Sequence, residues 1–422
     1  MLERYFLRPQ TVDRVRSSWI GSAVEQYVTW LAEHGYAARS VFRRVPILLR
    51  FGEFAHSRGA RSPGDLPEHV ERFVIEWLTR RSGRRCSESA RNVGKEARGP
   101  VEQMLRLVVP GFLGTGRPRR TADPFAAKAP RFFDYLVSER GLREATIFHY
   151  RHYLIRFEAY LGRIGVTDLA DLSSAVLSAF VVERKASGLG RTGIRDLCGV
   201  LRVFLRYAHR ERLITADLSA TVGWPQAYRL STVPRSITWA EVREVLDTID
   251  RRTACGRRDY AILLLLVTYG LRAREVAALT LEDIDWKRER LRIPERKAGH
   301  STAFPLSTVV GEALVDYLRR GRPEVPGRRV FFRVVAPFDP ITAAGVSSRA
   351  ARYLHKAGIG VPRAGSHTLR HTCVQRLVDA DFSLKVIGDY IGHRSPASTD
   401  IYAKVAIEAL RQVALGDGEE VV

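Results

Sequence analysis

A chain of 422 residues, 45% hydrophobic and 27% charged, is long enough for about three domains of roughly 150 residues and apolar enough to give them cores. Lysine and arginine number 68 against 46 aspartate and glutamate; the formal net charge of +22 points to a polyanionic partner, nucleic acid first and an anionic membrane surface second. Several classes are excluded: the longest apolar run, Ala261–Val267, is too short for a bilayer span, and the N-terminus lacks a signal-peptide core. The 4 cysteines (Cys86, Cys198, Cys255 and Cys373) make no CxxC pair, so they read as reduced thiols in the cytoplasm.

Residues 1–19 read as an N-terminal tail and 20–110 as a helical domain. Within it, "AVEQYVTWLAEHG" and "ARSVFRRVPILLRFGEFAHSRG" carry apolar residues at helical spacing and stop at Gly35 and Gly59. Residues 111–127, rich in Gly, Pro and Arg, read as a linker, and a second helical domain follows at 128–213. A shift of 106 residues lays the first domain on the second without a gap for about fifty residues. Gly35, Arg50-Phe51, Gly59 and Asp65-Leu66 then meet Gly141, Arg156-Phe157, Gly165 and Asp171-Leu172. The first domain therefore reads as a duplicate of the second.

The last helix of the second domain places Arg191, Arg195, Arg202, Arg206 and Arg210 on one side and Ile194, Leu197, Leu201, Phe204 and Leu205 on the other. Like charges at this spacing destabilise a helix, so the expectation is a phosphate-backbone contact rather than a solvated face. A linker at 214–235 leads to a mixed domain at 236–412, followed by a tail at 413–422. In this third domain Thr238 and Glu241 form a capping box, and "RRDYAILLLLVTYG" reads as a buried helix closed by Gly270. "LEDIDWKRERLRIPE" and "STAFPLS" read as a small antiparallel sheet with a turn at Lys297–His300; the rest is helical. The fold class is thus mainly α with a small antiparallel sheet (α+β).

Four patches of this domain carry chemistry. In "TYGLRAREV", Arg272 opens a helix, where backbone N–H groups favour an anion, and Glu275 can orient the guanidinium. In "ERKAGHSTAFPL", Lys297 occupies the hairpin turn. In "SHTLRHT", Ser366 can cap a helix that puts His367 and Arg370 on one face, with His371 also near His367. In "IGHRSPASTDIY", His393 precedes a Ser-Pro turn and Tyr402. The two histidines of "SHTLRHT" suggest a metal, but no third ligand is evident and Arg370 would stand beside the ion, so no metal is expected.

In this order the patches resemble the tyrosine recombinase (phage integrase) family over roughly 128–412, core-binding domain plus catalytic domain. The family pattern of Arg, Lys, His-x-x-Arg, His or Trp, then Tyr is met by Arg272, Lys297, His367, Arg370, His393 and Tyr402. The turn "KAGH" is shorter in glycine and lysine than is often seen, and Lys404 stands where a histidine is frequent; neither departure removes a catalytic group.

The resemblance implies one or two helical SAM-like core-binding domains on a catalytic domain. It implies an integrase, recombinase or mobile-element transposase that cuts and rejoins DNA strands through a 3′-phosphotyrosyl link to Tyr402. Neither cofactor nor metal is needed, because the covalent link conserves the bond energy. Arg272 and Arg370 would bind the transition state, His367 would help move the phenol proton or hold the phosphate, Lys297 would protonate the leaving oxygen, and His393 would donate to the phosphate. The partner is double-stranded DNA, with a homo-oligomer of two to four copies on it and sister recombinases as further partners. The location is the cytoplasm, on the nucleoid when bound. The first domain is expected to bind DNA as well. The alternative reading is a catalytically silent DNA-binding regulator on the same scaffold.

Overall fold

The computed structural model describes residues 1–81, 87–114, 123–223, 236–294 and 301–392. They fall into two compact units, one formed by residues 1–115 with 232–422 and the other by 116–231.

The first domain is helical throughout. A 3₁₀ turn at Leu2–Arg4 is followed by α1 (Pro9–Ser17), α2 (Gly21–Glu33), α3 (Ala38–His56), α4 (Leu66–Arg81) and α5 (Ser87–Val108). Residues 1–19, expected as a tail, are folded: Leu2, Val12 and Val15 enter the same core as Tyr27, Leu31, Leu48, Phe51 and Leu105. Apolar residues are about as frequent in that stretch as in the chain as a whole, and Pro9 supplies a pre-set first helical residue. Helix α2 ends before Gly35, whose φ of +71° lies in the left-handed region that glycine enters without strain.

The second unit contains α6 (Phe132–Ser138), α7 (Glu144–Arg163), α8 (Ser174–Ala186) and α9 (Arg191–Arg210). Its core is aromatic. Phe204 of α9 lies with ring centroids 4.7 Å from Phe125 and 5.1 Å from Phe132, and Phe157 sits 5.0 Å from Phe180. Both expected linkers contribute to it: Phe125 is buried at its start, and Ile214 and Val222 at its end. The domain therefore extends beyond 128–213, because a glycine- and arginine-rich segment can still carry a single anchoring aromatic.

The C-terminal part of the first unit is built around α11 (Ala254–Thr268). Ala261–Val267 are all nearly inaccessible, as expected for a helix that is apolar on every side. It packs against α13 (Thr308–Arg320) and α15 (Ser366–Asp379). The remaining helices are α10 (Trp239–Asp247), α12 (Ala273–Ala278), α14 (Ala343–Lys356) and α16 (Leu384–Ile391).

The expected capping box opens α10: Thr238 Oγ1 accepts from the Glu241 amide at 3.2 Å and the Glu241 carboxylate accepts from the Thr238 amide at 2.6 Å. Three antiparallel strands, β1 (Ile284–Asp285), β2 (Arg290–Ile293) and β3 (Thr302–Pro305), lie in the order β1-β2-β3, with Leu291 opposite both Ile284 and Phe304. The expected turn at Lys297–His300 lies outside the described residues.

One ion pair is sunk into this core. Asp259, fully buried, accepts from Arg258 Nε at 2.9 Å and Nη2 at 2.6 Å and from the Tyr353 hydroxyl at 3.1 Å. The third guanidinium nitrogen of Arg258, Nη1, donates to the carbonyl of Phe332 at 3.1 Å. These bonds provide the charge partner and hydrogen bonds that two buried ions require, and they tie α11 to α14 and to the loop after α13. No helix among the described residues is long and apolar enough to cross a membrane.

Candidate active site

The site grows from the turn between α11 and α12. Gly270, with a φ of +58°, reverses the chain after the buried helix, and the sulfur of Cys373 lies 3.2 Å from where a Cβ of residue 270 would stand. Arg272 follows at the N-cap of α12. Glu275, one turn on and buried, holds it at two points: its carboxylate accepts from the Arg272 amide at 2.8 Å and from Nη1 at 2.9 Å. The expected orienting role of Glu275 has this geometry. The same carboxylate occupies the helix end where the sequence suggested that backbone N–H groups would favour an anion.

Arg370 reaches the turn from α15. It is 5% exposed, and its Nη1 donates to the carbonyl of Gly270 while Nη2 donates to that of Ile391 at 2.8 Å. Arg272 Nη2 donates to the neighbouring carbonyl, Gly392, at 2.8 Å. Both guanidiniums therefore clasp the C-terminal end of α16, where unpaired carbonyls and the helix dipole concentrate negative charge. Gly392 closes that helix in the left-handed conformation, with a φ of +65°.

The N-cap of α15 is Gly365, not Ser366 as expected. Ser366 is the first helical residue and is buried, its amide directed at Ser347 Oγ at 3.4 Å, so its hydroxyl is not placed to cap. The expected face nevertheless forms. His367 and His371 stand one turn apart with ring centroids 6.2 Å from each other.

His367 is accessible to solvent, yet neighbouring atoms crowd it enough to remove part of its hydration. That desolvation, followed by the charges of Arg370 and Arg272, pulls its pKa below the ordinary histidine value. For His371 burial, then His367 and Arg370, lower the pKa to about 4. Both rings are thus neutral at pH 7. No group of three His, Cys, Asp or Glu side chains that could hold a metal occurs among the described residues. Cys373 is buried against the Thr268 carbonyl at 3.4 Å, and burial pushes its thiol up to about 12, so it is no nucleophile.

The structure thus brings together Arg272, Glu275, His367 and Arg370. Lys297, His393 and Tyr402 lie outside the described residues. Sequence reasoning missed the carbonyls of Gly270, Ile391 and Gly392, which no side-chain motif marks. It also missed Tyr269. That hydroxyl donates to the Pro305 carbonyl at 2.9 Å and accepts from the Ser307 amide at 2.9 Å, fixing the end of β3 beside the catalytic turn.

The arginine face of α9, in the other unit, is only partly available for a ligand. Arg191 and Arg195 are exposed and make no ion pair among the described residues. Arg202 donates through Nε at 2.9 Å and Nη2 at 2.6 Å to the carbonyl of Val222, and Arg206 Nε donates to Ser219 Oγ at 3.3 Å. These two arginines therefore also anchor the segment that follows α9. Arg210 is paired with Glu139 at 2.7 Å.

A helical scaffold that gathers two arginines and a histidine around one turn of a small α+β domain offers positive charge to a phosphodiester. The chain belongs to the phage integrase family, and it is a tyrosine-type site-specific DNA recombinase. The family's own pattern matches residues 235–408, and that of the phage integrase N-terminal SAM-like domain matches residues 129–212.

A Sinorhizobium fredii protein, y4rA, whose name places it among integrases and recombinases, is 33% identical over 392 residues, 92% of each chain. The tyrosine recombinase XerD of Ralstonia nicotianae is 30% identical over 283 residues, 67% of this chain and 90% of that one. Among solved structures, XerH in a post-cleavage complex with palindromic difH shares the fold at a TM-score of 0.54 and 16% identity, covering 83% of this chain and 96% of that one. A lambda integrase dimer on a core site does so at 0.52 and 20%, covering 65% and 94%.

Proposed function

We propose that the protein cuts and rejoins duplex DNA with Tyr402 as nucleophile, working as the integrase or transposase of a mobile element. The observation that carries this reading is the convergence of Arg272 and Arg370 on one turn, each held in place by hydrogen bonds to the backbone carbonyls around it. A phosphorane-like transition state gathers negative charge on its non-bridging oxygens, and two preorganised guanidiniums stabilise that charge more than the ground state's. The same positive field favours the phenolate of an incoming tyrosine. His367, neutral and facing solvent beside both arginines, is suited to accept the phenol proton.

In this reading Lys297 protonates the departing 5′-oxygen and His393 donates to the scissile phosphate. Bond breaking and making are balanced: the Tyr402 oxygen joins phosphorus, the 5′-oxygen leaves with a proton, and a second 5′-hydroxyl later reverses the step. Arg191, Arg195, Arg202 and Arg206 are proposed to meet the DNA backbone, the first two with whole guanidiniums. A dimer to tetramer assembles on the DNA, with sister recombinases as partners, in the cytoplasm on the nucleoid. The dimeric lambda integrase complex supports the assembly by likeness of fold.

The test is a nicked target duplex that lets the cut 5′ end diffuse away. Wild type accumulates a covalent protein–DNA adduct in the presence of EDTA, and Tyr402→Phe forms none while binding the same duplex. Tight binding without adduct by wild type would leave the silent-regulator reading in its place.

A further inference from the structure

The duplicated first domain has a different surface from its sister. A shift of 100 residues lays α5 on α9: the buried Ala97, Val101, Met104 and Leu105 meet Leu197, Leu201, Phe204 and Leu205, and Gly99 meets Gly199. On the polar side Lys95 meets Arg195 and Arg106 meets Arg206, but Glu102 stands where α9 has Arg202. That exchange sets a carboxylate between Arg98 and Arg106. Glu102 accepts from Arg106 at 2.7 Å and lies 3.5 Å from Arg98, whose two terminal nitrogens also meet Glu71 at 2.5 and 2.6 Å. Arg43 of α3 is paired with Glu96 of α5 at 3.1 Å. On α9 Arg191 and Arg195 are exposed without such partners among the described residues, and on α5 Lys95, which meets Arg195, is the exposed cation without one. A face whose cations already hold carboxylates releases no counterions when it approaches a phosphate backbone, and so gains little there.

The first domain also touches the catalytic domain, which belongs to the same unit. After α13 the catalytic domain sends out a short hairpin, closed by a bridge between Phe332 and Pro340 and by the Arg333 amide donating to the Asp339 carbonyl at 2.8 Å. Its base is held by the buried Arg258 and by the Tyr317 hydroxyl, which accepts from the Phe332 amide at 3.2 Å. At its tip Ala336 packs against the first domain's core, and the ring of Phe338 lies 2.8 Å from where a Cβ of Gly35 would stand. Gly35, in the left-handed conformation next to Trp30 and Tyr36, leaves room for that ring. Among the described residues nothing lies within 4 Å of a Cβ at the equivalent Gly141.

From these two observations we infer that the first domain is a brace docked on the catalytic domain through Phe338 and Gly35, and that it no longer grips DNA through its α5 face. This differs from the DNA-binding role that the repeat by itself implies. The DNA arm of the test rests on the function proposed above; the docking arm does not.

The docking arm compares hydrogen exchange in the full-length protein with that of Phe338→Asp and of Gly35→Leu. Residues 30–37 and 333–341 are expected to lose protection together in each variant while the catalytic core, Ala261–Val267, keeps it. Unchanged protection at 30–37 in both variants overturns the brace. The DNA arm measures the slope of log K against log salt. Arg191→Ala with Arg195→Ala is expected to reduce the slope by about 1.8, at ~0.9 for each phosphate that is no longer neutralised. Arg43→Ala with Arg98→Ala and Arg106→Ala, the three cations that hold carboxylates, is expected to leave the slope unchanged. An equal reduction in that triple variant makes the first domain a second DNA-gripping domain and overturns the inference. A wild type without salt-dependent DNA binding counts against the proposed function, and the exchange result then decides the brace alone.

Discussion

Glu275 is the residue on which the orientation of Arg272 turns. Its carboxylate holds both the backbone amide and the guanidinium of Arg272, and it is buried. Glu275→Gln keeps the shape, removes the charge and turns one of its two acceptors into a donor. Strand cleavage by the variant is expected to slow by about 10²-fold, the size of losing one preorganised donor, with DNA affinity within a few-fold of wild type; single-turnover adduct formation measures the first and a binding isotherm the second. His371 gives a pH signature. Its folded-state pKa of about 4 lies below the ordinary 6.5, so between those values the unfolded chain binds a proton that the folded chain refuses. Stability therefore falls as pH drops through that window, by at most about 3 kcal/mol. Thermal midpoints from pH 7 to 4.5 should show a shallower decline in His371→Gln than in wild type.

At the scale of elements, the tie between the catalytic turn and the sheet is the hydroxyl of Tyr269. Phe304 packs on the Tyr269 ring at 5.2 Å and on Tyr390 at 5.0 Å, and the Tyr390 hydroxyl donates back to Thr268 at 3.2 Å. Tyr269→Phe leaves the Ser307 amide and the Pro305 carbonyl without that partner and is expected to cost about 1–3 kcal/mol in urea denaturation. Here the sequence was readable in part. Helix ends at Gly35, Gly59 and Gly270, the Thr238–Glu241 box and the small antiparallel sheet follow from local chemistry, which a linear pattern displays. So does the facing of His367 and Arg370 on α15. The cap at Gly365, the folding of residues 1–19, and the use of Arg202 and Arg206 to hold Val222 and Ser219 were not readable. Each depends on a backbone group or an apolar residue finding a distant partner, and neither leaves a motif.

At the scale of the whole molecule, the charge of +22 is spread over two units with separate cores, so DNA binding should draw on many weak phosphate contacts rather than a few strong ones. An affinity loss of roughly 10³-fold or more between 50 and 200 mM salt is expected once six or more phosphates are engaged, and fluorescence anisotropy reads it directly. The clasp of Arg272 and Arg370 on the last carbonyls of α16 has a further consequence. It fixes the position of Gly392, and Tyr402, the proposed nucleophile, comes 10 residues later in the sequence. A fully extended chain of that length spans at most ~36 Å. The arginines that would receive the phosphate thus also set the radius within which this tyrosine can attack, whether the scissile bond lies at its own subunit or at a neighbour's.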